Sequence, residues 1–228
     1  MKKAFFTFIA ILSAVLVGEA QELQYSRAQV DSILANAAAT YEAPSIAGVR
    51  LEGTVEEVAA KFKEKGWINP YSRFTEQELE KAGLPRNTRY LKGVLLEGIF
   101  LDRKVSLVLY PISPENRLIA YAAISMPGFG DSVMRFVNHE VMPLVHRYAR
   151  RYGEYKISAV DERFEQAKRN TTRQEYGSGR HIVTFSFEDP EVLLRAQTGT
   201  DGKFNIVIHY LNTLNLAVQL LENMPVQQ

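Results

Sequence analysis

Lys92-Gly-Val-Leu-Leu-Glu-Gly-Ile-Phe-Leu-Asp102-Arg103-Lys104-Val-Ser-Leu-Val-Leu-Tyr-Pro-Ile112 is the stretch that decides the fold. It predicts two strands, Lys92 to Leu101 and Lys104 to Ile112, with Asp102-Arg103 as a tight hairpin turn. Arg117 to Met126 predicts a third strand, reached through the turn Ser113-Pro114-Glu115-Asn116. Three strands so closely spaced have no room for crossovers, so the sheet is expected to be antiparallel.

Helices flank this run on both sides. Upstream, Ile46 to Leu51 reads as a short strand and Glu52-Gly53 as a turn. Thr54-Val55-Glu56-Glu57 then has capping-box spacing: the Thr54 hydroxyl can accept from the third helical amide while Glu57 reaches back. Val55, Val58, Ala59 and Phe62 share one face, and Gly66 supplies a left-handed stop. Thr75 and Glu78 repeat the capping spacing before a short helix that Gly83 ends. Downstream, a long helix is expected from about Asp131 to Tyr152, capped by Asp131 or Ser132 and stopped by Gly153. Pro143 lies inside it and should kink it, because proline removes one hydrogen bond and clashes with the preceding turn.

Asp161 to Arg169 reads as a further short helix and Asn170 to Arg180 as a polar loop. His181 to Glu188 and Phe204 to Asn212 alternate as strands, linked through the polar loop Gln197 to Lys203. Leu214 to Met224 is apolar enough to pack as a terminal element. The order, helix with three strands and then helix with two or three strands, predicts an α+β fold. Helices lie on one face of an antiparallel sheet, in the manner of a degenerate duplication.

The N-terminus carries a different message. Lys2 and Lys3 precede an apolar run from Ala4 to Val17, and Gly18-Glu19-Ala20 places small residues where a signal peptidase reads. Residues 1–20 are therefore expected to be a signal peptide cut before Gln21. The apolar run falls short of the ~20 residues of a spanning helix, so no membrane span is expected after cleavage. Residues 21–44 read as a leader, with helical spacing from Ser26 to Tyr41 ended by Pro44, and residues 45–228 as a single α+β domain. The expected location is the periplasm or outside the cell.

Composition narrows the function classes. The chain has 228 residues, 46% hydrophobic and 23% charged, a globular balance. Its 27 basic and 26 acidic residues become 25 and 25 once Lys2, Lys3 and Glu19 are removed, which argues against nucleic acid as a partner. Cysteine is absent, so disulfides, a zinc ribbon, an iron–sulfur cluster, a thiol nucleophile and a lipidated cysteine are all excluded. Without that anchor the mature product is expected to be soluble.

The stretch Ile46-Ala-Gly-Val-Arg-Leu-Glu-Gly-Thr54-Val-Glu-Glu-Val-Ala-Ala-Lys-Phe-Lys-Glu-Lys-Gly66-Trp67 resembles the opening of a group of small secreted proteins of gut Bacteroidales, with a Gly-Thr turn and an amphipathic helix ending in Lys-Gly-aromatic. Leu91 to Gly98, Arg150-Arg-Tyr-Gly153 and Ile208-His-Tyr-Leu-Asn212 fit in order, so the resemblance spans residues 46–212. Its motifs are structural, and it brings no established activity with it. The helix-then-sheet layout also resembles the β-lactamase-inhibitor-protein-like fold, a scaffold for protein binding, which is an analogy of fold alone.

Candidate sites are few. Pro127-Gly128-Phe129-Gly130-Asp131-Ser132-Val133 sits where a dinucleotide fingerprint would, but Val133 replaces the third glycine and Asp131 puts negative charge where phosphate belongs. His139, Glu140 and His146 suggest a metal, yet the histidines are seven apart where a shared ion needs four. No metal and no cofactor are expected. Glu56/Glu57 is better read as helix N-terminal charge than as an acid–base pair, and Glu162/Glu165 has no readable separation in space. Gly177-Ser178-Gly179 lacks the nucleophile-elbow pattern.

Two surfaces remain. Trp67, Tyr71 and Phe74 cluster after the first helix, where aromatics can stack on a sugar or peptide, though core packing serves Trp67 as well. On the long helix, Val133, Val137, Val141, Leu144 and Tyr148 share one face and Arg135, His139, His146 and Arg150 a stripe on the other. The stripe can meet an anionic partner. The favoured reading is an ordinary solvated face, with Arg147, Arg150 and Arg151 also complementing the helix C-terminus. The function expected is a non-catalytic binding or interaction module whose partner is an envelope protein or glycan. The alternatives are an extracytoplasmic hydrolase of glycan or peptide and a structural envelope component. Partner identity and oligomeric state are not legible.

Overall fold

A computed structural model describes residues 27–71, 93–130, 132–160, 181–198 and 202–222. The predicted signal peptide, Phe74, the second capping box, Asp131 as a helix cap, the helix and loop expected between 161 and 180, and Ser178 lie outside the described residues. The chain forms two compact units. One runs from Pro44 to Asn212, and the other joins the chain's two ends, up to Ala43 and from Thr213. In the latter, helix α1 (Arg27–Thr40) packs on helix α4 (Thr213–Glu222).

The larger unit is α+β, as the sequence predicts. A two-stranded ribbon, β1 (Ser45–Ile46) and β2 (Val49–Arg50), turns through Ala47 and Gly48, both at positive φ. Helix α2 (Val55–Glu64) follows, with the capping box formed as its spacing requires: Glu57 N–H donates to Thr54 Oγ1, and Thr54 N–H donates to Glu57 Oε2 at 2.8 Å. Hydrogen bonds to its carboxylate from Thr54, that of the backbone N–H first and that of the side chain second, hold the Glu57 carboxyl below its ordinary value. The expected face of Val55, Val58, Ala59 and Phe62 is fully buried or nearly so.

The sheet has seven strands, all antiparallel. They are β3 (Val94–Phe100), β4 (Arg103–Pro111), β5 (Ile119–Pro127), β6 (Tyr155–Val160), β7 (His181–Phe187), β8 (Val192–Thr198) and β9 (Phe204–Leu211). Their spatial order is β3-β4-β5-β9-β8-β7-β6. Two meanders, each preceded by a helix, thus run inward from opposite edges and meet where β5 pairs β9. The helix-plus-strands unit is used twice, and the second use carries four strands. β6 and β8 are additions to the strands the sequence suggests.

The first hairpin turns one residue earlier than expected. Phe100 pairs Arg103, so the two-residue loop is Leu101-Asp102, with φ of 51° and 61°. Two positive φ values mark the primed hairpin turn whose twist matches the strands. Asp tolerates that region and Leu does not, so sequence alone points away from it.

Helix α3 is one helix in three segments: α-helical at Val133–Phe136, π-helical at Val137–Val141, α-helical at Met142–Tyr152. Ser132 caps it, and Gly153 at φ 85° ends it. The expected disturbance at Pro143 takes the form of this π turn, in which Met142 N–H donates to the Val137 carbonyl. A wider turn just before proline gives its ring room. The extra residue shifts the inward face. Val145 is buried and Leu144 only half-buried, and Phe136 joins the core.

The buried residues of α2 and α3 belong to one core with Leu96, Leu107, Ile124, Ile208, Leu194 and Phe185, a row of register partners crossing the sheet. Both helices therefore cover the same face. Alternation puts Glu97, Ser106, Ser125, Val207 and Arg195 in the matching row on the opposite face.

Candidate functional site

A groove of about 720 Å³ opens at the β3 edge of the sheet, and its geometry starts from the end of α2. Gly66 adopts φ 86°; its N–H donates to the Lys63 carbonyl at 2.9 Å, and Trp67 N–H to the Phe62 carbonyl at 3.1 Å. This is the two-bond Schellman closure, which needs glycine at the left-handed position. It drops the Trp67 ring onto Gly98, where an added Cβ would lie 2.3 Å from the indole. The same ring meets Phe62 edge-on, centroids 5.2 Å apart. The next residue pairs with the sheet: Ile68 N–H donates to the Glu97 carbonyl at 2.9 Å, and Glu97 N–H to the Ile68 carbonyl at 2.7 Å.

The groove lies between this segment and strands β3, β4, β5 and β9. Two isoleucines stand at its mouth, Ile68 at 61% and Ile99 at 59% exposure. Lys65 and Lys104 flank it and Glu97 adds a carboxylate. Ser106 and Ser125 supply hydroxyls from neighbouring strands. Ser125 Oγ donates to Asn205 Oδ1 at 3.2 Å, which leaves the Asn205 NH₂ group to donate.

Beside the groove, the glycine-bearing loop at Pro127–Gly130 has its own anion. Phe129 N–H and Gly130 N–H both donate to Glu140 Oε1, at 2.8 and 2.9 Å. Arg103 Nη1 donates to Glu140 Oε2 at 3.0 Å, and the guanidinium lies 5.1 Å from the centre of the Phe129 ring. Successive main-chain N–H groups of this kind make an anion cradle. A side-chain carboxylate fills this one, and a Cβ on Gly128 or Gly130 would run into Phe136. The two glycines serve packing, and a phosphate has no place in the cradle.

The residues singled out from sequence fall in several places. Trp67 is 5% exposed and belongs to the core, though it also lines the groove. Tyr71 is half-buried, and its N–H donates to Asn69 Oδ1 at 2.8 Å. Arg135, His139, His146 and Arg150 are all exposed on α3. Arg135 precedes the π turn, His139 lies inside it and His146 and Arg150 follow it, so its additional residue offsets the azimuth of Arg135 from that of the last two by about 100°. His146 stacks on Tyr155 of β6. No group of three or more His, Asp or Glu positioned for a metal occurs among the described residues. Glu57 is held in the capping box and Glu56 pairs with Arg117, so that carboxylate pair is structural.

Two buried polar features have no sequence signal. The hydroxyls of Tyr148 and Tyr210 bond to each other inside the core. Burial pushes the Tyr148 hydroxyl up to about 12, and raises that of Tyr210 well above its ordinary value. On the sheet's second face, the Nε2 atom of His209 is buried with no hydrogen-bond partner among the described residues, and the ring lies 6.2 Å from Tyr121, itself stacked on Tyr110. Burial, and secondarily Arg195, lower the imidazole to about 4.

No helix among the described residues is long and apolar enough to cross a membrane. No protein-family model, curated protein or solved structure matches this chain.

Proposed function

We propose that this chain is an exported, non-catalytic binding module of the cell envelope, and that the β3-edge groove holds its ligand, a segment of envelope protein or glycan. Export rests on Lys2, Lys3, the apolar run Ala4 to Val17 and the small residues before Gln21. The observation that carries the binding role is the pair of exposed isoleucines, Ile68 and Ile99, at one groove mouth. Their backbones are held by the Ile68–Glu97 pairing and by Trp67 packed on Gly98. Aliphatic side chains fixed in water gain on being covered, and a pre-ordered site loses little entropy when that happens.

Two measurements test this. Intact mass of the product from its native host should begin at Gln21; retention of residues 1–20 removes the export half. Binding of the mature chain to immobilised envelope material should be lost in an Ile68→Asp/Ile99→Asp variant that melts at the wild-type temperature. Equal binding by the two removes the groove half.

A further inference from the structure

We infer that the groove takes an extended, acidic peptide segment with an aliphatic residue beside its carboxylate, rather than a saccharide. This deepens the proposed binding role and rests on it. Three observations favour peptide. First, the apolar groups at the mouth are aliphatic. Sugar rings are held by flat exposed aromatics, and the Trp67 face is already covered by Gly98 and Phe62. Ile68 and Ile99 fit a Leu, Ile or Val side chain instead. Second, the polar groups are mainly donors: the Lys65 and Lys104 ammonium groups and the Asn205 amide, against the single Glu97 carboxylate among the lining residues. That set, net positive, suits an acceptor-rich anion such as an Asp or Glu side chain.

Third, the main chain is offered at the same place. Glu97 turns its N–H and C=O outward to Ile68, so alternation turns those of Ile99, two residues on, away from β4 as well. An extended peptide can hydrogen-bond there through its own backbone, a mode of edge recognition that a saccharide lacks. The aliphatic residue would lie between Ile68 and Ile99 and the carboxylate would reach Lys104, the register partner of Ile99.

The test selects a library of random twelve-residue peptides displayed on phage against the mature protein, beside an array of neutral and uronic-acid oligosaccharides. Selected peptides should carry Leu, Ile or Val next to Asp or Glu. Their affinity should fall about tenfold or more in Lys104→Glu and in Ile99→Glu, and remain unchanged in Arg135→Gln/Arg150→Gln. Peptides with Lys in place of the acidic residue should regain binding to Lys104→Glu, a rescue that loss of folding cannot produce. Selected peptides indifferent to Lys104→Glu overturn the inference. Oligosaccharides that bind wild type and lose binding in the groove variants overturn it while leaving the groove as a binding site. Ligands of either kind that ignore every groove variant overturn both.

Discussion

Glu140 holds Arg103 across the molecule, Oε2 to Nη1 at 3.0 Å, from the π turn of α3 to the first residue of β4. Its other oxygen binds the Phe129 and Gly130 amides, so one carboxylate ties helix, hairpin and loop together. The Glu140 side chain is 11% exposed. Glu140→Ala should therefore leave a cation and two amides short of partners and cost about 2–4 kcal/mol in urea denaturation. Glu140→Gln keeps an acceptor for the loop amides and should cost less. A loss below about 0.5 kcal/mol in the alanine variant would show that solvent replaces the carboxylate.

The Tyr148–Tyr210 pair gives a cleaner cycle. Removing one hydroxyl leaves the other buried and unpaired, so Tyr148→Phe and Tyr210→Phe should each cost about 1–3 kcal/mol. The double variant has no orphan and should cost less than the sum. Additive losses would mean the hydroxyls do not depend on one another.

His209 predicts a pH dependence of known sign. Its folded value is about 4, against 6.5 for the free side chain, so the unfolded chain takes up the proton first as pH falls. Its neutral form therefore supports full stability above pH 6.5, and stability is lost as pH drops from there toward 4, by at most about 3 kcal/mol. His209→Gln should flatten this part of the profile. Parallel wild-type and variant profiles between pH 6.5 and 4 would contradict the assignment.

The Trp67–Gly98 contact can be read optically, since the chain has one tryptophan. Gly98→Ala forces a methyl against the indole and should cost about 1–3 kcal/mol. Emission should move to longer wavelength as the ring leaves its 5%-exposed site. An unchanged spectrum and melting temperature would show that the edge yields freely.

Local chemistry made some elements legible. Thr54, Glu57 and Gly66 announce α2 because capping acts within a few residues, and Phe62 lies at 0% exposure on the face its spacing requires. The hairpin turn slipped by one residue because Leu101 takes a backbone region its type seldom enters. β8 was obscured because Leu193, on the second face, is as apolar as its core-facing neighbours Val192 and Leu194. The shift from Leu144 to Val145 needed the π turn, which Pro143 hints at without fixing its length. The groove was hidden for a topological reason. Lys65–Ile68 reach Glu97–Ile99 only through the Ile68–Glu97 pairing, and Asn205 joins Ser125 only once β5 pairs β9, and no local pattern records either pairing.

Hydrogen–deuterium exchange of the mature chain, with and without a saturating peptide digest of the cell envelope, most directly tests the groove as the binding site. The account predicts slowed exchange at Lys65–Ile68 and along Glu97–Ser106, with α3 unchanged. Unchanged exchange in both segments, with protection instead on the exposed side of α3 around Arg135, His139, His146 and Arg150, would contradict it and make the basic helix face the surface that binds.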